Sequence, residues 1–115
     1  MDEGAIYEKS MEFAVRIVKL YQYLSKERKD GVMSMQMLRS GTSIGANVRE
    51  AKYGQSRNDF VAKMSIALKE ASETEYWLEL LARTGYLTQE QYESIRKDNG
   101  EVAKLLTSIV KNSKK

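Results

Sequence analysis

Four glutamates, Glu70, Glu73, Glu75 and Glu79, crowd one short stretch and are the nearest thing in the chain to a reactive grouping. Glu70 and Glu73 fall one turn apart on one side of a helix. In a helical bundle such pairs build di-iron centres, but those centres normally add a Glu-x-x-His from each of two helices. The chain has no histidine and no cysteine. That removes the usual zinc and iron ligand sets, the usual general base, thiol nucleophiles and disulfides. A pure-carboxylate Mg²⁺ or Mn²⁺ site has no further support, so the glutamates read as solvated or ion-paired. Ser40, Thr42 and Ser43 have no base to activate them, and their reading is packing or bonding back to the helix backbone. No catalytic, cofactor or metal residue is assigned, and the chain reads as a non-enzyme.

The basic residues offer a different chemistry. Arg39, Arg49, Lys52, Arg57 and Lys63 cluster around one end of the second helix and its turn. If Arg39 and Lys63 are paired with carboxylates, Arg49, Lys52 and Arg57 remain to contact phosphate. Net charge is only +3, so the field of one copy is weak and repetition in a symmetric ring would strengthen it. Tyr7, Tyr21, Tyr23, Tyr53, Tyr76 and Trp77 could stack bases, though such aromatics more often fill cores and interfaces.

These residues must be positioned by helices. The 115 residues contain no proline, which favours long uninterrupted helices in one domain, 1–115, with one core. Ile6, Phe13, Ile17, Leu20, Tyr21 and Leu24 follow a helical period from about residue 6 to 24. The charged run from Ser25 to Gly31 is a turn, with Asp30-Gly31 as breaker. The second helix, capped by Ser34, runs to about Tyr53, and Gly54 marks its stop. The third runs from about Asn58 to Thr84 behind a Ser56–Asp59 capping pair, and Gly85 ends it. Its main stripe is Phe60, Met64, Ala67, Leu68, Ala71, Leu78, Leu81 and Ala82. A second row, Ala62, Ile66, Trp77 and Leu80, widens the apolar surface beyond what one core face needs. The fourth opens on a Thr88–Gln91 capping box and carries Ile95, Val102, Leu105, Leu106, Ile109 and Val110, with Asn99-Gly100 as an interruption. The tail from Lys111 is expected to fray. Short connections make this an all-α, antiparallel up-down-up-down four-helix bundle. No run of about 20 apolar residues and no signal-peptide pattern occurs, so no membrane partner and a cytoplasmic location are expected.

Gly41 and Gly45 stand one turn apart inside the second helix. Each costs roughly 1 kcal/mol against alanine, which implies close approach by a neighbour. In an antiparallel pair, facing residues of the second and third helices should have numbers adding to about 112. Gly41 then meets Ala71 and Gly45 meets Ala67. Arg39 pairs with Glu73, and Glu50 with Lys63.

The run Leu38-Arg39-Ser40-Gly41-Thr42-Ser43-Ile44-Gly45-Ala46-Asn47-Val48-Arg49-Glu50-Ala51 carries a family resemblance. So do Asp59-Phe60, Ile66 to Thr74 and Tyr76-Trp77-Leu78. The sequence resembles bacterial four-helix-bundle proteins encoded in intervening sequences of 23S ribosomal RNA genes, related to the accessory variability protein of diversity-generating retroelements. The resemblance implies a homopentameric ring with a basic surface, and a molecular function that is largely unknown. In the retroelement branch a similar ring binds nucleic acid and the reverse transcriptase. Arg39, Asn47 and Glu50 match the signature, and structural or interface roles are expected for them, as for Gly41, Gly45, Ile66, Glu73 and Trp77. Two functions follow: binding of RNA, DNA or a nucleoprotein through Arg49, Lys52 and Arg57, or recruitment of a protein partner by a homo-oligomeric ring.

Overall fold

In the computed structural model, described here for residues 4–27 and 31–113, the chain forms four helices: α1 (Gly4–Glu27), α2 (Val32–Lys52), α3 (Arg57–Arg83) and α4 (Gln89–Ser113). Each packs on the next in sequence, and α4 closes back onto α1. With connections of only a few residues, neighbours run antiparallel. The molecule measures 45 × 21 × 19 Å, as expected when helices of up to 27 residues lie side by side at about 1.5 Å per residue. Arg28, Lys29 and Asp30 of the expected turn and Lys114 and Lys115 of the expected tail lie outside the described residues, while the tail from Lys111 to Ser113 is helical.

The core takes one side chain per turn from each helix. Ile6, Phe13, Ile17 and Leu24 come from α1, and Met37, Ile44 and Val48 from α2. Met64, Leu78 and Leu81 come from α3, and Ile95, Leu106 and Ile109 from α4. Four positions filled by small or polar residues belong to the same stripes. Ser10, Ser34, Ser40 and Thr74 are buried, and Thr74 occupies the turn between Ala71 and Leu78. Its hydroxyl donates to Ser40 Oγ at 2.9 Å, a buried hydrogen bond joining α2 and α3.

Helix ends follow their sequence signals in α3 and α4. Ser56 accepts from the Asp59 N–H at 3.1 Å. Thr88 and Gln91 satisfy each other's backbone N–H at 2.9 and 3.1 Å. Gly85, at φ +85°, ends α3. The Tyr86 and Gly85 N–H groups reach back to Leu81 and Ala82, a Schellman arrangement.

Some expectations need correction. Ser34 is not the cap of α2: Gly31 stands there, and Ser34, buried in the first turn, bonds back to the Gly31 carbonyl. Gly54 does follow the end of α2, after the Tyr53 C-cap, but without a positive φ, since Gly85 is the sole positive-φ glycine among the described residues. Gly54 instead makes room, since a Cβ there would lie 2.9 Å from Asp59 Oδ2. Asn99-Gly100 does not interrupt α4, which is helical throughout. Asn99 is buried, and its Nδ2 donates to the Ala71 carbonyl at 3.0 Å. A tertiary hydrogen bond thus outweighs the local turn preference of Asn-Gly.

The largest correction concerns the glycines. Gly41 and Gly45 do not meet Ala71 and Ala67 of α3; they face α1. A Cβ at Gly41 would lie 2.9 Å from two branch carbons of Ile17, and one at Gly45 would lie 3.4 Å from the Ser10 carbonyl. Successive residues point about 100° apart around a helix, so Ser40 turns to α3 while Gly41 turns to α1. The α2–α3 register itself is close to that expected. Arg39 pairs with Glu73 and reaches Glu70 at 3.5 Å, and Lys63 meets Glu50 at 3.0 Å.

Candidate nucleic-acid interface

The glutamates of α3 are committed to partners, as their ion-paired reading expected. Glu73 holds Arg39 on one side and accepts the Trp77 indole N–H at 2.9 Å on the other. Glu75 accepts the Tyr92 hydroxyl at 2.7 Å, and burial together with that bond pushes the tyrosine up to about 12. Glu79 pairs with Arg83 at 2.8 Å. Among the described residues no group of three or more His, Cys, Asp or Glu is placed to hold a metal ion. Thr42 bonds back to the Leu38 carbonyl and Ser40 to that of Met37. Neither hydroxyl is in an activating environment. Asn47 donates to the Ser43 carbonyl within its own helix.

The bond from Trp77 and the Arg39 guanidinium hold the Glu73 carboxyl below its ordinary range. A carboxyl depressed in the fold contributes stability that is present above its unfolded pKa and is lost as pH falls through the folded value. Glu73→Gln should therefore flatten the acid limb of a stability–pH curve below about pH 4. The change should be small, because the side chain is 37 % exposed. Urea unfolding at pH 3 to 7 would read it.

The basic cluster divides into two kinds of residue. Arg57 is engaged within the bundle. Its guanidinium lies 4.7 Å from the Phe60 ring centre and donates to Ser113 Oγ at 3.2 Å, tying the start of α3 to the end of α4. Arg57 is exposed but, unlike the expected free cation, is tied to these two groups. Arg49 and Lys52 project from the last turn of α2 and are exposed. Among the described residues neither forms an ion pair. The Lys52 ammonium lies 5.4 Å from the Tyr7 ring centre and 5.7 Å from that of Tyr53. Both cations complement the negative end of α2. Beside them, Tyr7, Met11, Ala14, Thr42, Gly45 and Arg49 line a mostly apolar groove of about 240 Å³ between α1 and α2.

A stripe not singled out from the sequence runs along α1. Met11, Val15 and Val18 are 45, 46 and 37 % exposed. Their i, i+4, i+7 spacing, offset from the core stripe, was the signal available. On α3, Ile66 is exposed, while Trp77 is half-buried against the core. The Arg16–Asp98 pair at 2.5 Å, which joins α1 to α4, also had no local signal.

Comparison with known proteins supports this architecture. Residues 2–108 match the family described as 23S rRNA-intervening sequence protein. The chain belongs to that family. A crystal structure from the S23 ribosomal protein family of Bacteroides thetaiotaomicron VPI-5482, a protein of unknown function, is similar over 96 % of this chain and 99 % of that one, at 64 % identity and a TM-score of 0.94. No curated protein matches. The family assignment agrees with the resemblance read from the Leu38–Ala51 run and the stretches after it, and the shared fold agrees with the expected bundle. Among the described residues no helix of this family member is long and apolar enough to cross a membrane.

Proposed function

We propose that this protein is a non-enzymatic, homo-oligomeric bundle that binds RNA or DNA through the basic end of α2. The observation that carries the reading is the pair Arg49 and Lys52, exposed side by side in the last turn of α2 without a carboxylate partner among the described residues. Most cations near them are neutralised locally, Lys63 by Glu50 and Arg39 by Glu73, so two uncompensated positive charges per copy define one small docking point for an anion. Assembly into a ring, pentameric by resemblance, would repeat that point around an axis and raise its field. Nucleic-acid binding measured by fluorescence anisotropy at several salt concentrations tests this. Affinity should fall as salt rises, and Arg49→Ala with Lys52→Ala should weaken it and shallow the salt slope by about two contacts. No binding at low salt would remove the reading.

The apolar stripe Met11, Val15 and Val18 supports the assembly half of the proposal and also favours a second reading, an adaptor that recruits a protein partner through its ring. Val15→Glu should lower the solution mass while leaving helix content unchanged, since the side chain is half out of the fold already. An unaltered mass would place the subunit interface elsewhere.

A further inference from the structure

Tyr53 is 73 % exposed, the most exposed of the large apolar or aromatic side chains among the described residues. It sits at the C-cap of α2, one turn beyond Arg49 and next to Lys52. Its ring takes no part in the buried core. The Lys52 ammonium lies within cation–π distance of both this ring and that of Tyr7. The result is a largely exposed aromatic ring with one cation over one of its faces and a second one turn back along the same helix.

From this geometry we infer that the site takes a single-stranded nucleic acid, with a base stacked on Tyr53 and the flanking phosphates on Lys52 and Arg49. The inference rests on the nucleic-acid reading above and narrows it. An exposed ring gains most from an unstacked base, because the bases of a duplex already stack on one another and offer the ring only edges. The cations act on the backbone and are indifferent to sequence, so the site should discriminate strandedness more than base identity. Tyr7 acts as a positioning residue: half-buried beside the groove, it helps hold the Lys52 ammonium at the edge of the platform.

The test compares binding of a fluorescein-labelled oligouridylate, alone and annealed to oligoadenylate, by the full-length wild type, Tyr53→Phe, Tyr53→Ala, and the Arg49→Ala/Lys52→Ala double variant. The wild type should prefer the single strand. Y53A should weaken single-strand binding about tenfold, the effect of losing one stacked base, and leave duplex binding unchanged. Y53F should retain single-strand affinity. The thermal midpoint of Y53A should match the wild type, because the ring is outside the core. If Y53A binds the single strand as tightly as the wild type while the double variant loses affinity, the stacking platform is overturned and the wider nucleic-acid reading stands. Equal wild-type affinity for the two strand forms also overturns the platform. Failure of the wild type to bind either form at low salt overturns both.

Discussion

Asn99→Asp is expected to destabilise the fold by about 3–5 kcal/mol at neutral pH, the cost of an uncompensated buried charge. Asn99 is 2 % exposed. Its Nδ2 donates to the Ala71 carbonyl, and among the described residues its buried Oδ1 has no hydrogen-bond partner. Aspartate keeps the shape but replaces the donor with an acceptor, so an ionised carboxylate would face a carbonyl oxygen in a site that already leaves one oxygen unsatisfied. The new carboxyl must therefore titrate above the unfolded value of about 3.9. A raised carboxyl pKa means that the folded state holds a proton that the unfolded chain has released. Stability then falls as pH rises through that window, so the deficit shrinks as pH is lowered towards about 4 and levels off below it, where the protonated carboxyl can donate to Ala71. The wild-type amide does not titrate, so the difference between the two stability–pH curves isolates this one group. A small, pH-independent deficit in urea unfolding would show that the α3–α4 seam opens to water around Asn99.

Gly41→Ala should destabilise by about 1–2 kcal/mol, against the rule that alanine improves a helix interior by roughly 1 kcal/mol. The new methyl would press on Cγ1 and Cγ2 of Ile17, which branch directly from its Cβ and cannot swing aside. Ile17 is fully buried, so displacing it disturbs the core between α1 and α2. Gly45 supplies the control. Its added Cβ meets the Ser10 carbonyl at ordinary contact distance, so Gly45→Ala should be neutral or stabilise by up to about 1 kcal/mol. Ile17→Ala alone should cost about 2–5 kcal/mol. In that background the sign of Gly41→Ala should reverse, because both obstructing carbons are gone and the propensity gain remains. Denaturant midpoints at fixed protein concentration give all four values, and the fixed concentration matters wherever subunits associate. Additive costs in the double variant would mean that Gly41 does not set the α1–α2 approach.

The contrast between these two sites and the rest of the bundle explains what the sequence could and could not convey. Helix number, order and approximate ends were readable because they rest on local signals: the core periodicity of α1, the Ser56 cap, the Thr88–Gln91 box and Gly85. The α2–α3 register was readable because Arg39, Glu50, Lys63 and Glu73 carry charges whose partners could be counted across an antiparallel pair. Gly41 and Gly45 announced a close approach but not its direction. A residue without a side chain adds nothing to the apolar pattern that tells one neighbouring helix from another. Asn99 and Thr74 were hidden for the opposite reason. Each is polar and buried by a hydrogen bond to a residue 28 or 34 positions away, and no local pattern records such a bond. The Arg57–Ser113 contact was hidden in the same way, since the hydroxyl lies 56 residues further along the chain. On the exposed side, the basic residues were visible in the sequence, but the sorting of Arg49 and Lys52 from their paired neighbours needed the packed helices.

Only assembly, with the outward-facing Met11, Val15 and Val18 covered by further copies of the chain, would turn Arg49 and Lys52 into a repeated basic surface. The direct measurement is the solution mass of the wild-type protein by light scattering across a range of concentrations. A mass several times the 13.2 kDa of one chain, constant on dilution, is the predicted result. A mass of one chain at the highest concentration reached would contradict it.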